Sequence, residues 1–337
     1  RNPRIVKSPS VKNIGCSTIR TNHTKYVSTT KTKLRQINTS NSNTKLVFYL
    51  NGKRVALDSV EPATTLIHYL RNNVGLTGTK LTCGEGGCGA CTVTLSHWDH
   101  QQNKPVHRAV NSCLVPLCYV DGMEVTTVEG IGSTKKGLHP VQERLAAFGG
   151  SQCGFCTPGF VMSMYSALRN NPHPSSSEFQ KCMDGNLCRC TGYRPIIDAA
   201  KSFCADTKDT VKPPGNHKLP EYNPHAEKLF PEELKHKKNS LVLTGDHSQW
   251  YAPTTLQEIL QLKHEHPHAK VINGSTELGI DIRFKLTRFQ VYLSPVNVPE
   301  LNKIEVSDKG LTIGAAVTLT RLYENLKHLD STQGKDP

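Results

Sequence analysis

The stretch CGEGGCGAC, residues 83–91, brings three cysteines into one short loop. Cys83, Cys88 and Cys91 are separated by four and two residues, and Cys113 follows after 21 intervening residues. This is the plant-type spacing for a [2Fe–2S] cluster, in which four thiolates converge on two irons. The glycines of the loop permit positive φ angles, which lets backbone N–H groups point at the sulfurs. The stretch therefore predicts an iron–sulfur loop, and the alternative is a glycine-rich turn with buried free cysteines.

Four further cysteines form two close pairs, Cys153 with Cys156 and Cys188 with Cys190. Two such pairs across a long gap fit a zinc site as well as an iron site. The Cys-x-Cys spacing is tighter than usual for structural zinc. The loop upstream favours iron, because a second cluster would complete an electron relay. Spacing alone leaves both metals open.

The sequence around the first cysteine loop predicts a small α+β domain over residues 44–130. Residues 46–50 and 54–57 form two strands, and Asn51-Gly52 joins them as a two-residue hairpin turn. A helix is predicted over residues 64–73, where Leu66, Ile67 and Leu70 share one face. Further strands are predicted at residues 92–95 and 124–128.

Four helices are predicted around the second cysteine group, in a bundle over residues 131–206. Pro140 and Pro158 begin two of them, at the first-turn position that suits proline. The predicted helices cover residues 141–145, 159–169, 177–183 and 195–203.

Residues 207–239 lack periodicity and are predicted to be a linker. The sequence predicts a mixed α/β unit over residues 240–337. One helix of this unit begins at the capping box Thr255-x-x-Glu258. The residues from Trp250 to Thr254 lead into this helix. The turn at residues 273–279 has small residues that suit a backbone cradle for phosphate, and an ordinary β-turn is the open alternative. The predicted strands cover residues 241–243, 270–272 and 311–316.

Length and composition exclude several classes of protein. The 337 residues suggest two or three domains, and no stretch approaches the roughly 20 apolar residues of a membrane-spanning helix. Twelve cysteines without a secretory signal indicate metal or redox chemistry and not a disulfide framework. The sequence contains neither a Gly-x-Gly-x-x-Gly after a strand nor a Gly-x-x-x-x-Gly-Lys-Ser/Thr, which are common nucleotide-binding motifs.

The net charge of +13 is unevenly distributed along the chain. Residues 1–43 hold nine Lys or Arg and no Asp or Glu, so the remaining 294 residues carry +4. This mildly basic body argues against nucleic-acid binding. The basic leader, residues 1–43, is rich in Ser, Thr and Asn and is predicted to be disordered. An organellar transit peptide and translated upstream sequence are the alternatives for the leader.

Together these motifs resemble the molybdenum hydroxylases, the family of xanthine dehydrogenase and aldehyde oxidase. The resemblance runs from about Lys45 to the C terminus and is weakest in the linker. The cysteine-containing stretches are highly specific. The matching stretches are CGEGGCGACTV at residues 83–93, TTVEGIGS at 126–133, HPVQERLA at 139–146, SQCGFCTPGFVMSMY at 151–165, GNLCRCTGYRPI at 185–196 and NGSTELGI at 273–280.

The resemblance implies an α+β multidomain fold. Its parts are a β-grasp plant-type ferredoxin domain, a four-helix [2Fe–2S] bundle domain and the truncated start of an α/β FAD-binding domain. The resemblance also implies iron at both cysteine groups. The implied ligands are Cys83, Cys88, Cys91 and Cys113 for the first [2Fe–2S] cluster, and Cys153, Cys156, Cys188 and Cys190 for the second.

Two further cofactors are implied by the resemblance. Gln152 and Cys190 match positions that approach the molybdopterin. Asn273 and Ser275 depart from the family's usual Val and Asn within the segment that wraps FAD. The residues of that segment are Val271, Ile272, Asn273, Gly274, Ser275, Thr276, Glu277 and Leu278.

The implied function is electron transfer within a longer enzyme. In the family, substrate is hydroxylated at molybdenum with oxygen from water, and electrons pass singly through two clusters to FAD and then to NAD or oxygen. Thr276-Glu277 resembles xanthine dehydrogenases, which convert hypoxanthine to xanthine and urate, more than aldehyde oxidases. We expect this chain to be an N-terminal fragment without the molybdenum domain and its catalytic residues, and therefore inactive alone.

Three other functions remain open at this stage. One is an aldehyde oxidase with oxygen as acceptor, another is an isolated iron–sulfur electron carrier, and the third is a zinc-stabilised structural or interaction module. The resemblance also implies a purine or aldehyde substrate, a homodimer, and a cytoplasmic or peroxisomal location. Neither nucleic acid nor membrane is expected as a partner.

Overall fold

The structure is a computed structural model that describes residues 42–215, 217–236, 239–307 and 310–333. The leader that the sequence predicts over residues 1–43 lies outside these ranges, except for its last two residues. Within the described ranges, no helix combines the length and apolar character needed to cross a membrane.

The first unit contains a five-stranded mixed sheet in the order β2-β1-β5-β3-β4. Alternate residues of β1 are buried, as expected for a strand with one face on the core. The hairpin turn is confirmed, since Asn51 and Gly52 have φ angles of 53° and 82°. Because β5 returns parallel to β1 in the sheet centre, the β-grasp arrangement is also confirmed. The strands are β1 Leu46–Leu50, β2 Lys53–Leu57, β3 Thr92–Asp99, β4 Lys104–Asn111 and β5 Glu124–Thr126.

The helix predicted over residues 64–73 forms with a change of hydrogen bonding along its length. One α-helical turn, α1 (Leu66–His68), continues as a π-helical turn at Tyr69–Asn73. Leu66, Ile67 and Leu70 are fully buried, so the predicted apolar face is the one that packs on the domain.

The four predicted helices of the second unit are confirmed, after a short helical turn, α2 (Val128–Ile131). They enclose a core that includes Leu145, Phe160, Met164, Phe179 and Ile196. The longest helix also packs on strands β3 and β4, where Ser166 Oγ lies 2.6 Å from Thr94 Oγ1. The helices are α3 Pro140–Ala147, α4 Thr157–Asn170, α5 Ser176–Lys181 and α6 Arg194–Lys201.

The third unit contains a four-stranded sheet in the order β6-β7-β9-β8, together with the hairpin β10-β11. The capping box at Thr255 and Glu258 is confirmed. The segment before it is a strand, β7, whose four residues are all buried. The elements are β6 Leu241–Thr244, β7 Gln249–Ala252, α7 Leu256–Glu265, β8 Lys270–Val271, α8 Leu278–Phe284, β9 Val291–Leu293, β10 Ile304–Ser307, β11 Gly310–Ile313 and α9 Leu319–Gln333.

The segment predicted as a linker is tied to the helical bundle by buried polar contacts. The Arg144 guanidinium donates to the carbonyl of Pro220 at 2.6 Å. The Glu227 carboxylate accepts from the Tyr165 hydroxyl at 3.1 Å and lies 2.8 Å from Nε2 of His139. Absence of periodicity in the sequence therefore does not mean absence of packing here, because these contacts join residues far apart in the chain.

Acid is expected to destabilise the fold through His107 on β4. This side chain is 3 % exposed, and its Nδ1 lies 2.7 Å from Ser96 Oγ. Burial lowers the pKa of His107 to about 3. The unfolded state, with a His pKa near 6.5, binds more protons between these two values, so stability is complete above about pH 6.5 and falls as the pH decreases.

Urea unfolding at pH 7, 6 and 5 measures this effect. We expect the free energy of unfolding to fall with a slope approaching about 1.4 kcal/mol per pH unit below pH 6. His107→Asn keeps a polar group beside Ser96 but cannot be protonated, so it should flatten the dependence. An equal slope in both proteins would show that His107 is not responsible.

Candidate functional site

The first cysteine loop, residues 83–91, lies between the π-helical turn and β3. Gly84, Gly86 and Gly89 have φ angles of 71°, 79° and 68°, which only glycine adopts at little cost. These turns fold the loop so that Cys83 Sγ is 3.3 Å from Cys88 Sγ. The thiols of Cys91 and Cys113 form a second, buried pair joined by a hydrogen bond. The four thiols predicted from the sequence thus come together as two pairs.

Backbone N–H groups favour the thiolate form in this loop. Burial alone would raise the pKa of Cys83, but hydrogen bonds from the backbone N–H groups of Glu85 and Gly87 outweigh burial and lower it. The pKa of Cys113 is lowered to about 7, chiefly by the hydrogen bond with Cys91 and further by the Gly86 N–H. The same hydrogen bond, together with burial, raises the pKa of Cys91, so one thiol of this pair is favoured as the thiolate, the form that binds metals.

The second cysteine group also forms two pairs, contributed by two loops of the helical bundle. Cys153 and Cys156 precede α4, and Cys188 and Cys190 precede α6. Hydrogen bonds join Cys153 to Cys190 and Cys156 to Cys188. Cys153 and Cys190 are exposed, whereas Cys188 is buried.

The environment of Cys188 resembles that of the first loop. Burial opposes ionisation of this thiol, but hydrogen bonds from Thr191 outweigh burial, and the pKa of Cys188 is lowered. The backbone N–H and the hydroxyl oxygen of Thr191 lie 3.5 and 3.1 Å from the Cys188 sulfur. In both cysteine groups, therefore, the thiols lie in pairs, and nearby protein groups form hydrogen bonds with a sulfur atom.

The pairing of the thiols can be compared with the ligand sets of a single metal ion and of a two-iron cluster. Among the described residues, no three His, Cys, Asp or Glu side chains converge as ligands of a single ion would. Structural zinc needs four ligands around one centre. A [2Fe–2S] cluster instead has two irons, each with two protein ligands. The thiol pairs of both groups match the two protein ligands that each iron of a [2Fe–2S] cluster takes.

The two cysteine groups meet at a set of close contacts that we call the loop junction, formed by Cys88, Gly89, Gly159, Asn186 and Leu187. The Leu187 backbone N–H donates to the Cys88 carbonyl at 3.0 Å. The buried Asn186 side chain donates to the Gly89 carbonyl at 3.1 Å and accepts from the Ser163 hydroxyl at 2.7 Å. Sequence reasoning missed this junction, although Asn186 lies in the GNLCRC stretch that it singled out.

The predicted flavin segment, residues 271–278, begins on β8 and ends at α8. Ile272, Ser275 and Leu278 are buried, whereas Val271, Thr276 and Glu277 are exposed. A side chain added at Gly274, whose φ is 71°, would meet nothing within 4 Å. The turn therefore presents accessible backbone, as a phosphate cradle requires.

Asn273 is one of the two departures from the family pattern. Its Nδ2 donates to the Ala316 carbonyl at 3.0 Å, and its Oδ1 is buried without a partner. An unpaired buried acceptor of this kind is costly unless a ligand group donates to it. The Asn273 side chain thus joins the flavin segment to the residues that follow β11.

Helix α8 connects the flavin segment to the first cysteine loop. Leu114, next to Cys113, packs between the two, within 3.0 Å of where a Cβ on Gly86 or Gly279 would lie. The guanidinium of Arg283 lies directly against Gly84, where a Cβ would overlap it.

Gln152 and Cys190, predicted to approach the pterin, are both exposed. Apolar side chains close to them in sequence are exposed as well, with fractions of 46 % for Phe155 and 56 % for Leu187. The surface that carries the exposed thiols of the second group, Cys153 and Cys190, is therefore partly apolar.

Three family models match the chain in successive segments. Residues 48–118 match a 2Fe-2S iron-sulfur cluster binding domain, and residues 127–201 match a [2Fe-2S] binding domain. Residues 246–333 match an FAD binding domain in molybdopterin dehydrogenase.

Curated relatives cover the same three segments together. Xanthine dehydrogenase of Drosophila pseudoobscura pseudoobscura is 45% identical over 306 residues, which is 82% of this chain and 23% of the relative. Xanthine dehydrogenase/oxidase of Mus musculus is 46% identical over 82% of this chain and 22% of its own length. Aldehyde oxidase 2 of Cavia porcellus is 42% identical over 83% of this chain and 24% of its own length.

The chain belongs to the molybdenum hydroxylase family. The family models confirm two [2Fe–2S]-binding domains and an FAD-binding domain, as the sequence resemblance predicted. The chain spans about a quarter of the length of the curated relatives it matches. The relatives include xanthine dehydrogenases and aldehyde oxidases at similar identity, so the comparison identifies the family but not the substrate.

Proposed function

We propose that this chain is the electron-transfer part of a xanthine dehydrogenase. The enzyme would oxidise hypoxanthine to xanthine and urate at molybdenum held by a part of the protein outside this chain. Its electrons would pass through two [2Fe–2S] clusters to FAD and then to NAD. The observation that carries this proposal is the meeting of two sets of paired thiols across the Cys88–Leu187 hydrogen bond.

The ligand assignment follows the thiol pairs. In the first cluster, Cys83 and Cys88 would hold one iron, and Cys91 and Cys113 the other. In the second cluster the pairs would be Cys153 with Cys190 and Cys156 with Cys188. The exposed side of the second group, with Gln152 and Cys190, would face the molybdopterin.

When bound, the clusters carry single electrons and FAD passes a pair of electrons to NAD. The chain's own residues provide spacing and a suitable electrostatic environment. Backbone N–H groups of the glycine-rich loop stabilise negative charge on sulfur. One hydrogen bond, from the Leu187 N–H to the Cys88 carbonyl, joins a proposed ligand of the first group to the residue that precedes Cys188, a proposed ligand of the second. Leu114 and α8 connect the first group with the flavin segment.

An aldehyde oxidase is the second candidate, because Cavia porcellus aldehyde oxidases match this chain at 41% and 42% identity. Glu277 favours the dehydrogenase, since aldehyde oxidases tend to have Ser there. Assays of the whole protein with hypoxanthine and with an aldehyde, each with NAD and with oxygen, decide between them. We expect purine oxidation coupled to NAD.

We further propose a cytoplasmic homodimer, which sedimentation of the whole protein would test.

Cys190→Ser is expected to disturb the second cluster and leave the first intact. In the reconstituted chain, the iron content should fall from about four to about two per chain, and one of two reduced EPR signals should disappear. Cys182→Ser is the matched control, because Cys182 belongs to neither group and its sulfur contacts the Phe179 carbonyl. Loss of both signals in a folded Cys190→Ser protein would show that the ligands are wrongly divided.

A further inference from the structure

The side chain of Arg283 carries a positive charge from the flavin-bearing unit to the first cysteine loop. Arg283 lies in α8, five residues after the end of the flavin segment at residue 278. A Cβ on Gly84 would overlap Cζ and Nε of this guanidinium, so only glycine allows the contact. Gly84 directly follows the proposed ligand Cys83, and its φ of 71° turns the peptide under the guanidinium.

The charge of Arg283 is not neutralised nearby. Within the described part of the chain, its guanidinium forms no ion pair, and its one aromatic contact is with the adjacent Phe284 ring at 5.6 Å. By contrast, Lys285, which directly follows α8, pairs with Asp281 at 2.7 Å and is largely exposed. Arg283 therefore places a positive charge against the backbone of the cysteine loop.

A cation at this position has a predictable effect on a cluster. One-electron reduction adds one negative charge to a site that is already anionic through its thiolates. A fixed positive charge stabilises the reduced state more than the oxidised state. Net charge and solvent exposure are among the factors that set iron–sulfur reduction potentials. The contact through a glycine also removes the side chain that would otherwise separate the charge from the loop.

We propose that the positive charge of Arg283 raises the reduction potential of the first cluster. An electron is then held more favourably on that cluster, beside the flavin segment. This inference rests on the proposed assignment of Cys83, Cys88, Cys91 and Cys113 to that cluster. The electron that reduces the cluster in vitro comes from dithionite, and in the enzyme it comes from the second cluster. No bond is made or broken in this step.

Redox titration of the reconstituted 337-residue chain, followed by EPR, tests the proposal. In Arg283→Gln, the equilibrium constant for reduction of the first cluster should fall about tenfold, which equals about 59 mV for one electron. The second cluster should titrate as in the wild type and serves as an internal reference. Arg283→Met, which keeps much of the aliphatic length without charge, should give the same shift.

Two controls separate charge from packing. Arg283→Lys keeps the charge and should shift the potential much less than Arg283→Gln. Lys285→Gln removes a nearby charge that is already paired with Asp281 and should leave the potential unchanged. Unchanged potentials in both uncharged Arg283 variants, with or without a loss of thermal stability, would overturn the proposal. Absence of iron or of the first EPR signal in the wild-type chain would instead overturn the proposed function.

Discussion

Alanine at position 159 is expected to force the two cysteine loops apart. Gly159 lies in the first turn of α4, and a Cβ there would overlap the carbonyl oxygen of Gly89. Both groups belong to the backbone, so neither can rotate out of the way. Overpacking of this kind costs about 1–3 kcal/mol, and strain on the Asn186 hydrogen bonds adds about 1 kcal/mol. We therefore expect Gly159→Ala to lower the free energy of unfolding by about 2–4 kcal/mol.

Urea unfolding of the reconstituted chain measures this loss. Gly185→Ala is the matched control, because a Cβ at Gly185 would meet nothing within 4 Å. Magnetic interaction between the two reduced clusters, read from EPR, should weaken in Gly159→Ala and persist in the control. If Gly159→Ala were as stable as the wild type, the contact between the loops would be looser than the structure indicates.

Removal of the Asn186 side chain is expected to have a comparable effect for a different reason. Asn186 is 5 % exposed and satisfies both the Gly89 carbonyl and the Ser163 hydroxyl. Asn186→Ala leaves the buried Ser163 hydroxyl without this acceptor, whereas the Gly89 carbonyl keeps its hydrogen bond from the Thr92 hydroxyl at 2.7 Å. An unsatisfied buried group costs about 1–3 kcal/mol. We expect a destabilisation of about 2 kcal/mol, together with a change in the EPR signals of both clusters.

Asn325→Ala serves as the control, because Asn325 lies exposed on α9 and, among the described residues, donates only to the carbonyl of Arg321. Thermal unfolding and EPR of both variants should show a loss confined to Asn186→Ala. Equal stability of the two variants would mean that water replaces the amide at the loop junction.

The parts of the fold that sequence predicted well are those with local causes. The Asn51-Gly52 turn, the proline-initiated helices and the capping box at Thr255 each depend on residues within four positions of one another. Strand β7 was missed because burial on both faces removes the alternation that identifies a strand. The contacts of the linker were missed because Glu227 and His139 are 88 residues apart.

The same division applies to the candidate site. The spacing of the cysteines predicted both groups, since ligand loops are local features. Which thiols pair, however, depends on how Cys113 and Cys190 return to the loops in three dimensions. The placement of Arg283 against Gly84 depends on packing between two units nearly 200 residues apart in sequence, so no local pattern reveals it.

We propose that one chain holds two [2Fe–2S] clusters in loops that contact each other. Iron and sulfide analysis of the reconstituted 337-residue chain, with EPR after dithionite reduction, tests it most directly. We expect about four iron and four sulfide ions per chain and two distinct reduced signals that interact magnetically. A colourless protein that binds zinc, or one that holds a single cluster, would contradict it.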